Sequence, residues 1–438
     1  MSVREVDTLV IGAGAAGLAA ARTLLEAGRD VFLLEARERV GGRVYTHHAD
    51  GFPVPIELGA EFVHGSPPEV WTRIAAHGLT TWQAEDRHDV ARSGLVEQPA
   101  DDVWSEVGEL LGALDPGADD RPVAAALAAV RPAPSAEVLR WARGYVEGFH
   151  AADIERLSTR SLLDAEGGGA SGSDAAHRVL DGYDGVVGAL AAPLDATARI
   201  ARGVVVHTVR WRRGEVDVVG VPRGGRTELA FRARKAIVTL PLGVLSAPPG
   251  AEGAVTFDPH PERWAEQLPG LAVGHVVRLS LRFRETWWDP GISYLHLPAA
   301  ESFGIWWTPA SIRAPLITAW IGGPRARDMT GIGTMELTAR ALDVLAAELG
   351  VDRGRIGDLL VSAHRHDWSA DPYARGAYSY ITSGGTGAPA QLAEPIDATL
   401  YLAGEATAES GASGTVHGAI ASGVRAARQV LTDRARRP

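Results

Sequence analysis

The 438-residue sequence contains no cysteine. Disulfides, thiolate nucleophiles, cysteine-ligated metals and thioether links to a cofactor are therefore all closed to it. No metal is expected. The chain also lacks a long unbroken apolar run. The apolar stretch behind the polar start Met1 to Asp7 is interrupted by Arg22, short of a membrane span, and the start has no basic segment or cleavage site of a secretory leader. Arg434 to Pro438 forms a basic tail without an apolar anchor or a peroxisomal tripeptide. A cytoplasmic protein without a membrane partner is the expectation. Positive charge is in short supply: 43 Lys and Arg against 54 Asp and Glu give a net charge of -11. That argues against a nucleic-acid partner and permits a cationic substrate.

With 46% hydrophobic and 22% charged residues, a chain of this length buries a large core and is expected to form two intertwined domains. No internal repeat is found. Thr8 to Ile11 is a short apolar run ending in glycines, Ala15 to Ala27 is an alanine-rich helix stopped by Gly28, and Val31 to Glu35 reads as the next strand. This βαβ start carries Gly12, Gly14 and Gly17 where strand turns into helix, in the spacing GxGxxG. Gly12 permits a tight turn, Gly14 lets backbone approach a pyrophosphate at Ala15 and Ala16, and Gly17 lets the helix pack closely. Glu35, about 20 residues beyond the turn, suits ribose hydroxyls. Dinucleotide binding is the expectation, with NAD and FAD both open.

The segment after Glu35 separates them: Ala36-Arg37-Glu38-Arg39-Val40-Gly41-Gly42-Arg43 is a basic, glycine-rich stretch that NAD folds do not need, with Arg37 and Arg43 suited to phosphates. Here the sequence resembles the flavin-containing amine oxidase family, nearest its polyamine oxidase branch. Leu400-Tyr-Leu-Ala-Gly404-Glu405-Ala-Thr407 matches that family's second FAD motif. The resemblance implies an α/β flavoprotein of GR2 type, a Rossmann-like FAD-binding domain interwoven with an α+β substrate-binding domain. Residues 1–75, 186–262 and 376–438 are assigned to the first, and 76–185 and 263–375 to the second. It further implies that Glu405 lies by the ribityl-phosphate region, that Val416 donates from a helix starting near His417 to the flavin pyrimidine edge, and that Val206 meets adenine. Leu58-Gly59-Ala60-Glu61-Phe62-Val63-His64-Gly65 resembles the loop covering the flavin ring, with Gly59, Ala60 and Glu61 beside the cofactor.

The activity implied is loss of a hydride from the α-carbon of a neutral, polyamine-like, secondary or primary amine to flavin N5. The imine then hydrolyses, and O2 reoxidises the flavin to give hydrogen peroxide. Such a site needs an aromatic wall, desolvation, and polar groups for remote ammonium groups. Asp367-Trp368 through Asp371-Pro-Tyr373 to Tyr378-Ser-Tyr380 resembles the family's substrate-side strand, which makes Tyr378 the wall and Trp368 a neighbour. Thr415 takes the place of a second, facing tyrosine. Ala377 stands where monoamine oxidases carry their flavin-bonded cysteine, so FAD is expected to be noncovalent, with a histidyl link still open. His64 is expected on the substrate path with Phe62. Glu61 either meets a cationic substrate or pairs with a neighbouring arginine.

One departure bears on the reaction. The family carries a lysine that holds a water against flavin N5, and the matching position in Val276-Val-Arg278-Leu-Ser-Leu-Arg-Phe283 is Arg278. A planar guanidinium is not a substitute for a compact ammonium, and the alternative is an arginine snorkelling to the surface. Val138 to Leu163 has helical periodicity and should roof the site through Trp141, Tyr145 and Phe149, followed by a Gly/Ser-rich loop from Asp164 to Asp174. Trp287-Trp288 and Trp306-Trp307 read mostly as packing, with the second pair able to edge the pocket. Two alternatives stay open: a FAD-dependent amino-acid oxidase or desaturase, in which Arg278 binds a carboxylate, and a non-catalytic FAD-binding scaffold or redox sensor. A homodimer is compatible with either.

Overall fold

The computed structural model describes residues 3–98, 102–167, 175–298, 300, 302–409 and 411–433. Its first sheet grows from the predicted βαβ start. The strand Arg4–Ile11 pairs in parallel with Val31–Leu34 on one side and with Leu229–Val238 on the other. The short strand Leu400–Leu402 continues beside Leu229–Val238, also in parallel. Residues buried on both faces, such as Leu9, Val10, Leu33 and Ile237, explain why these strands read as continuous apolar runs rather than alternating ones. An antiparallel meander, Val204–Arg212 with Glu215–Pro222, and the short edge strands Ile200–Ala201 and Thr256–Asp258 extend this sheet to eight strands.

One face of the sheet is covered by the helices Ala15–Glu26 and Val416–Thr432. Their contact is close enough that a Cβ at Gly423 would overlap the Ala16 backbone carbonyl. The two helices therefore meet backbone to backbone, and the glycine allows it.

A second, seven-stranded sheet runs in the order Leu360–His364, Val276–Phe283, Leu316–Gly322, Ile305–Trp307, Tyr294–His296, His88–Arg92 and Leu95–Glu97. The helix Thr334–Leu349 packs on it around Trp306, Phe283 and Leu342. A separate helical group, Asp102–Gly112 with Ala136–Phe149, encloses its own core through Val138, Trp141 and Val146. The chain passes back and forth between the two sheets, which leaves one long cavity between them.

Several expectations are corrected in detail. Val138 to Leu163 is not one helical stretch: Ala136–Phe149 ends at a C-cap, Ala151 has a φ of +50°, and a new helix, Thr159–Gly167, comes after it. Asp164 to Gly167 belong to that helix rather than to the Gly/Ser loop, whose residues 168–174 lie outside the described set, as does the basic tail. The segment Asp367 to Tyr380 is strand only at Ser379–Ile381. Before that, Asp367 and Asp371 accept hydrogen bonds from the backbone N–H groups of Ala370 and Tyr373, and Arg375 has a φ of +56°. Local carboxylate-to-backbone bonds thus win over the extended pattern. Among the described residues no helix is long and apolar enough to cross a membrane.

Candidate active site

The glycines at the start do what their spacing requires. Gly12 has a φ of +105°, and a Cβ at Gly17 would overlap the Gly12 carbonyl, so the turn and the first helical turn fit only without side chains. Gly14 is the N-cap of Ala15–Glu26, and a Cβ there would find its nearest neighbour, Gly42, 4.0 Å away. The unpaired N–H groups of that helix start therefore face open space. Glu35 lies just beyond the second strand, which ends at Leu34 rather than at Glu35, and accepts from Ala13 N at 2.8 Å and from Arg37 N at 2.9 Å. A carboxylate offers about four acceptor positions, so two remain for ribose hydroxyls.

The basic stretch beyond Glu35 is more internally committed than its sequence suggested. Arg37 donates to Asp371 at 2.8 Å, Arg39 pins the loop by bonding the carbonyls of Val40, Gly42 and Val44, and Arg43 donates to Glu405 at 2.9 Å and to Ala377 O. Asp371, which burial alone would raise, is held well below the ordinary carboxylate range by His366 and Arg37. Glu405 is a hub: besides Arg43 it accepts from the Ser379 hydroxyl at 2.6 Å and from Gly414 N at 3.1 Å. It thereby ties the second motif to the strand Ser379–Ile381, directly after Tyr378. Gly404 has a φ of +142° and nothing within 4 Å of a Cβ placed there. The second helix start comes one residue earlier than expected, at Val416, capped by Thr415, which accepts from Gly418 N at 2.9 Å and donates to Ala412 O at 2.7 Å. Thr415 lines the cavity, but its hydroxyl is occupied in both directions, so it offers a substrate no free donor.

Both helix starts open into one cavity of about 1880 Å³. Gly12, Gly14, Ala15, Ala16, Glu35, Ala36, Arg37, Gly42, Arg43, Gly59, Ala60, Glu61, Val206, Gly404, Glu405, Thr415 and Val416 all line it, while Gly17 sits behind the turn. Pockets for a single small ligand usually hold about 300–1,000 Å³, so this one has room for a dinucleotide and a substrate together. Two positive helix ends, a bare glycine cradle and a ribose-competent carboxylate fit FAD at one end of it.

Next along the cavity the loop Gly59 to His64 meets the strand Val276–Phe283. Arg278 is 6% exposed and donates to Glu61 at 2.6 Å and to Gly59 O at 3.0 Å. It does not snorkel. Glu61 is also paired with Arg178 at 2.8 Å and accepts from Trp307 Nε1 at 2.9 Å. Burial alone would raise its carboxyl, yet Arg278 and Arg178, helped by Trp307, hold it below the ordinary value. Of the two roles open to Glu61, pairing with an arginine is the one observed. Two buried guanidiniums share one carboxylate, so the cluster carries a surplus positive charge. Arg178, which comes from the four-residue strand Ala176–Val179, carried no sequence signal.

Tyr378 lines the cavity, and its hydroxyl donates to Phe149 O at 2.7 Å, which fixes the ring. Burial, then Glu405, pushes that phenol above its usual range, so it stays neutral. Trp368 also lines the cavity, anchored by Nε1 to Leu58 O at 2.8 Å. His64 lies 5.8 Å from the ring of Phe62 and 5.6 Å from that of Phe149, and all three face the cavity. Trp307 edges the pocket, whereas Trp287, Trp288 and Trp306 are packing.

The fold and site define a two-sheet flavoprotein with a substrate cavity running on from its cofactor groove. The family model of flavin containing amine oxidoreductases matches residues 15–431. The chain belongs to that family: it is a FAD-dependent enzyme that oxidises amines. It is similar to polyamine oxidase 3 of Oryza sativa subsp. japonica, 29% identical over 97% of this chain and 88% of the relative. It is also similar to lysine-specific histone demethylase 1 homolog 2 of the same plant, 29% identical over 97% of this chain and 57% of the relative. Among solved structures, wild-type putrescine oxidase bound to putrescine superposes with a TM-score of 0.79 at 21% identity, covering 98% of this chain and all of that one. Cyclohexylamine oxidase from Brevibacterium oxydans IH-35A gives a TM-score of 0.78 at 21% identity over 98% of this chain. At such identities these two establish the shared fold.

Proposed function

We propose that the enzyme oxidises an extended, polyamine-like amine and passes the electrons to O2, releasing hydrogen peroxide. The observation that carries this reading is the continuity of the cavity, which runs from Gly59 and Tyr378 past Phe62 and Tyr294 to Trp104 and Trp141. A simple monoamine would fill a small part of it. The names of the similar polyamine and putrescine oxidases point the same way.

The glycine turn, Glu35, Arg43, Glu405 and the Val416 helix start would hold FAD noncovalently, and FAD would supply the acceptor for two electrons and a hydrogen from the amine carbon. The protein's own contribution is binding and charge. Tyr378, fixed through Phe149 O, and Trp368 present aromatic walls to the reacting end. The surplus positive charge of Arg278 and Arg178 disfavours an ammonium nearby and so favours the neutral amine, whose lone pair forms the C=N bond as the C–H bond breaks. Water then hydrolyses the imine to a carbonyl compound and an amine or ammonia. Phe62 and His64 flank the path to that point. We assign residues 1–75, 186–262 and 376–438 to the cofactor domain and 76–185 and 263–375 to the substrate domain, in a cytoplasmic enzyme.

The same surplus charge favours a second reading, an amino-acid oxidase in which the guanidiniums hold a substrate carboxylate. Anaerobic mixing separates the two. The first reading expects flavin bleaching by diamines and polyamines at lower concentrations than by matched monoamines or amino acids. Bleaching by amino acids alone would establish the second, and a protein that keeps its flavin oxidised with every amine would overturn both.

A further inference from the structure

The part of the cavity farthest along this aromatic wall holds a cluster that the chemistry at the reacting end does not use. His88 and Tyr294 are register partners on neighbouring parallel strands, and their rings stack at 4.8 Å with 13° between the planes. His88 Nδ1 lies 2.8 Å from His296 Nε2, and His88 Nε2 lies 3.0 Å from Asp86 Oδ1. The rings of Trp104 and Trp141 stand 5.0 and 5.7 Å from that of His296, and Tyr294 reaches back to Phe62 at 6.3 Å. All of these residues line the cavity.

The hydrogen-bond chain sets the tautomers. A carboxylate oxygen accepts, so a neutral His88 ring carries its proton on Nε2, toward Asp86, and its Nδ1 is bare. His296 must then donate from Nε2, which leaves its own Nδ1 as a bare lone pair. That atom makes no hydrogen bond to a described residue. Burial, reinforced by His88, pushes His296 down to about 3, so the ring is neutral at any working pH. The nearby cations are already engaged: Arg87 pairs with Asp89 and Asp289, and Arg92 with Glu137. An uncharged acceptor inside an aromatic enclosure suits a group that is cationic and rich in N–H bonds.

We propose that this enclosure receives the remote ammonium of the substrate, with His296 Nδ1 as its acceptor, Trp104, Trp141 and Tyr294 as its aromatic walls, and Asp86 and His88 as positioning residues. The inference rests on the reading of an extended amine substrate. The cavity is then polar in charge from end to end. Arg278 and Arg178 repel an ammonium where the reaction occurs, and the histidine box accepts one where it does not, so a diamine enters in one orientation.

The test compares a diamine with the monoamine of equal length. His296→Phe keeps the aromatic bulk and removes the acceptor. It should lower kcat/KM for the diamine about 10- to 100-fold more than for the monoamine, chiefly through KM. Calorimetry with a diamine whose α-carbons bear no hydrogen gives a second readout without turnover, and its dissociation constant should rise by a similar factor. Asp86→Ala, at an exposed position, should lower the same preference about threefold, and it decides the matter if His296→Phe fails to fold. Equal losses for diamine and monoamine, or unaltered diamine binding in a variant that keeps its FAD, would overturn the proposal while leaving the functional reading intact. A wild-type enzyme reduced by no amine would overturn the reading itself.

Discussion

Glu57 shows how a single residue couples the site to its surroundings. Its carboxyl is 5% exposed and accepts from the Thr46 hydroxyl at 2.6 Å and from Tyr183 N at 2.8 Å. Burial outweighs these bonds and the attraction of Arg278, and the group is pushed up to about 8. Between the ordinary carboxylate range and pH 8 the folded protein therefore keeps a proton that the unfolded chain releases, and stability falls as pH rises through that window. Glu57→Gln removes the titration. Calorimetric unfolding should show the variant gaining Tm on the wild type between pH 5 and pH 9, and a difference that stays constant across that range would contradict the assignment. His296 acts in the opposite sense: its depressed value makes stability fall as pH drops from about 6.5 towards 3.

The two elements that matter most to the cofactor are the helices Ala15–Glu26 and Val416–Thr432, whose starts open into the same cavity. The first was legible because all its determinants are local: an apolar strand, three glycines and an alanine-rich run ended by Gly28. The second was legible from its motif, with Thr415 read as a substrate contact. The structure gives that residue the task of an N-cap. Thr415→Ala should cost about 0.5–2 kcal/mol of stability in denaturant titration and weaken FAD retention more than it changes the selectivity among amines. A pure selectivity change would restore the substrate role. The turns between Asp367 and Gly376 were misjudged because short carboxylate-to-backbone bonds leave no periodic trace. The break at Ala151 was missed because apolar periodicity continues on both sides of it.

Across the whole molecule, the interwoven two-sheet architecture followed from the two distant flavin motifs, whereas the charge pattern of the cavity did not. Arg278 was visible as a departure from its family, yet its partners Glu61 and Arg178 come from separate short strands and loops whose meeting depends on tertiary register. His88 and His296 are 208 residues apart in sequence. Nothing local to either residue announces the other. On the proposed reading, Arg278 and Arg178, which share Glu61, make the reacting end of the cavity cationic enough to hold the amine neutral. The most direct test is the pH dependence of the anaerobic flavin reduction rate at saturating diamine, in the wild type and in Arg278→Met. An alkylammonium in water titrates near about 10. The wild-type rate should reach half its maximum well below that pH, and the variant should shift the midpoint upward. A wild-type midpoint at or above the solution value, or one that Arg278→Met leaves in place, would contradict a cationic reacting end.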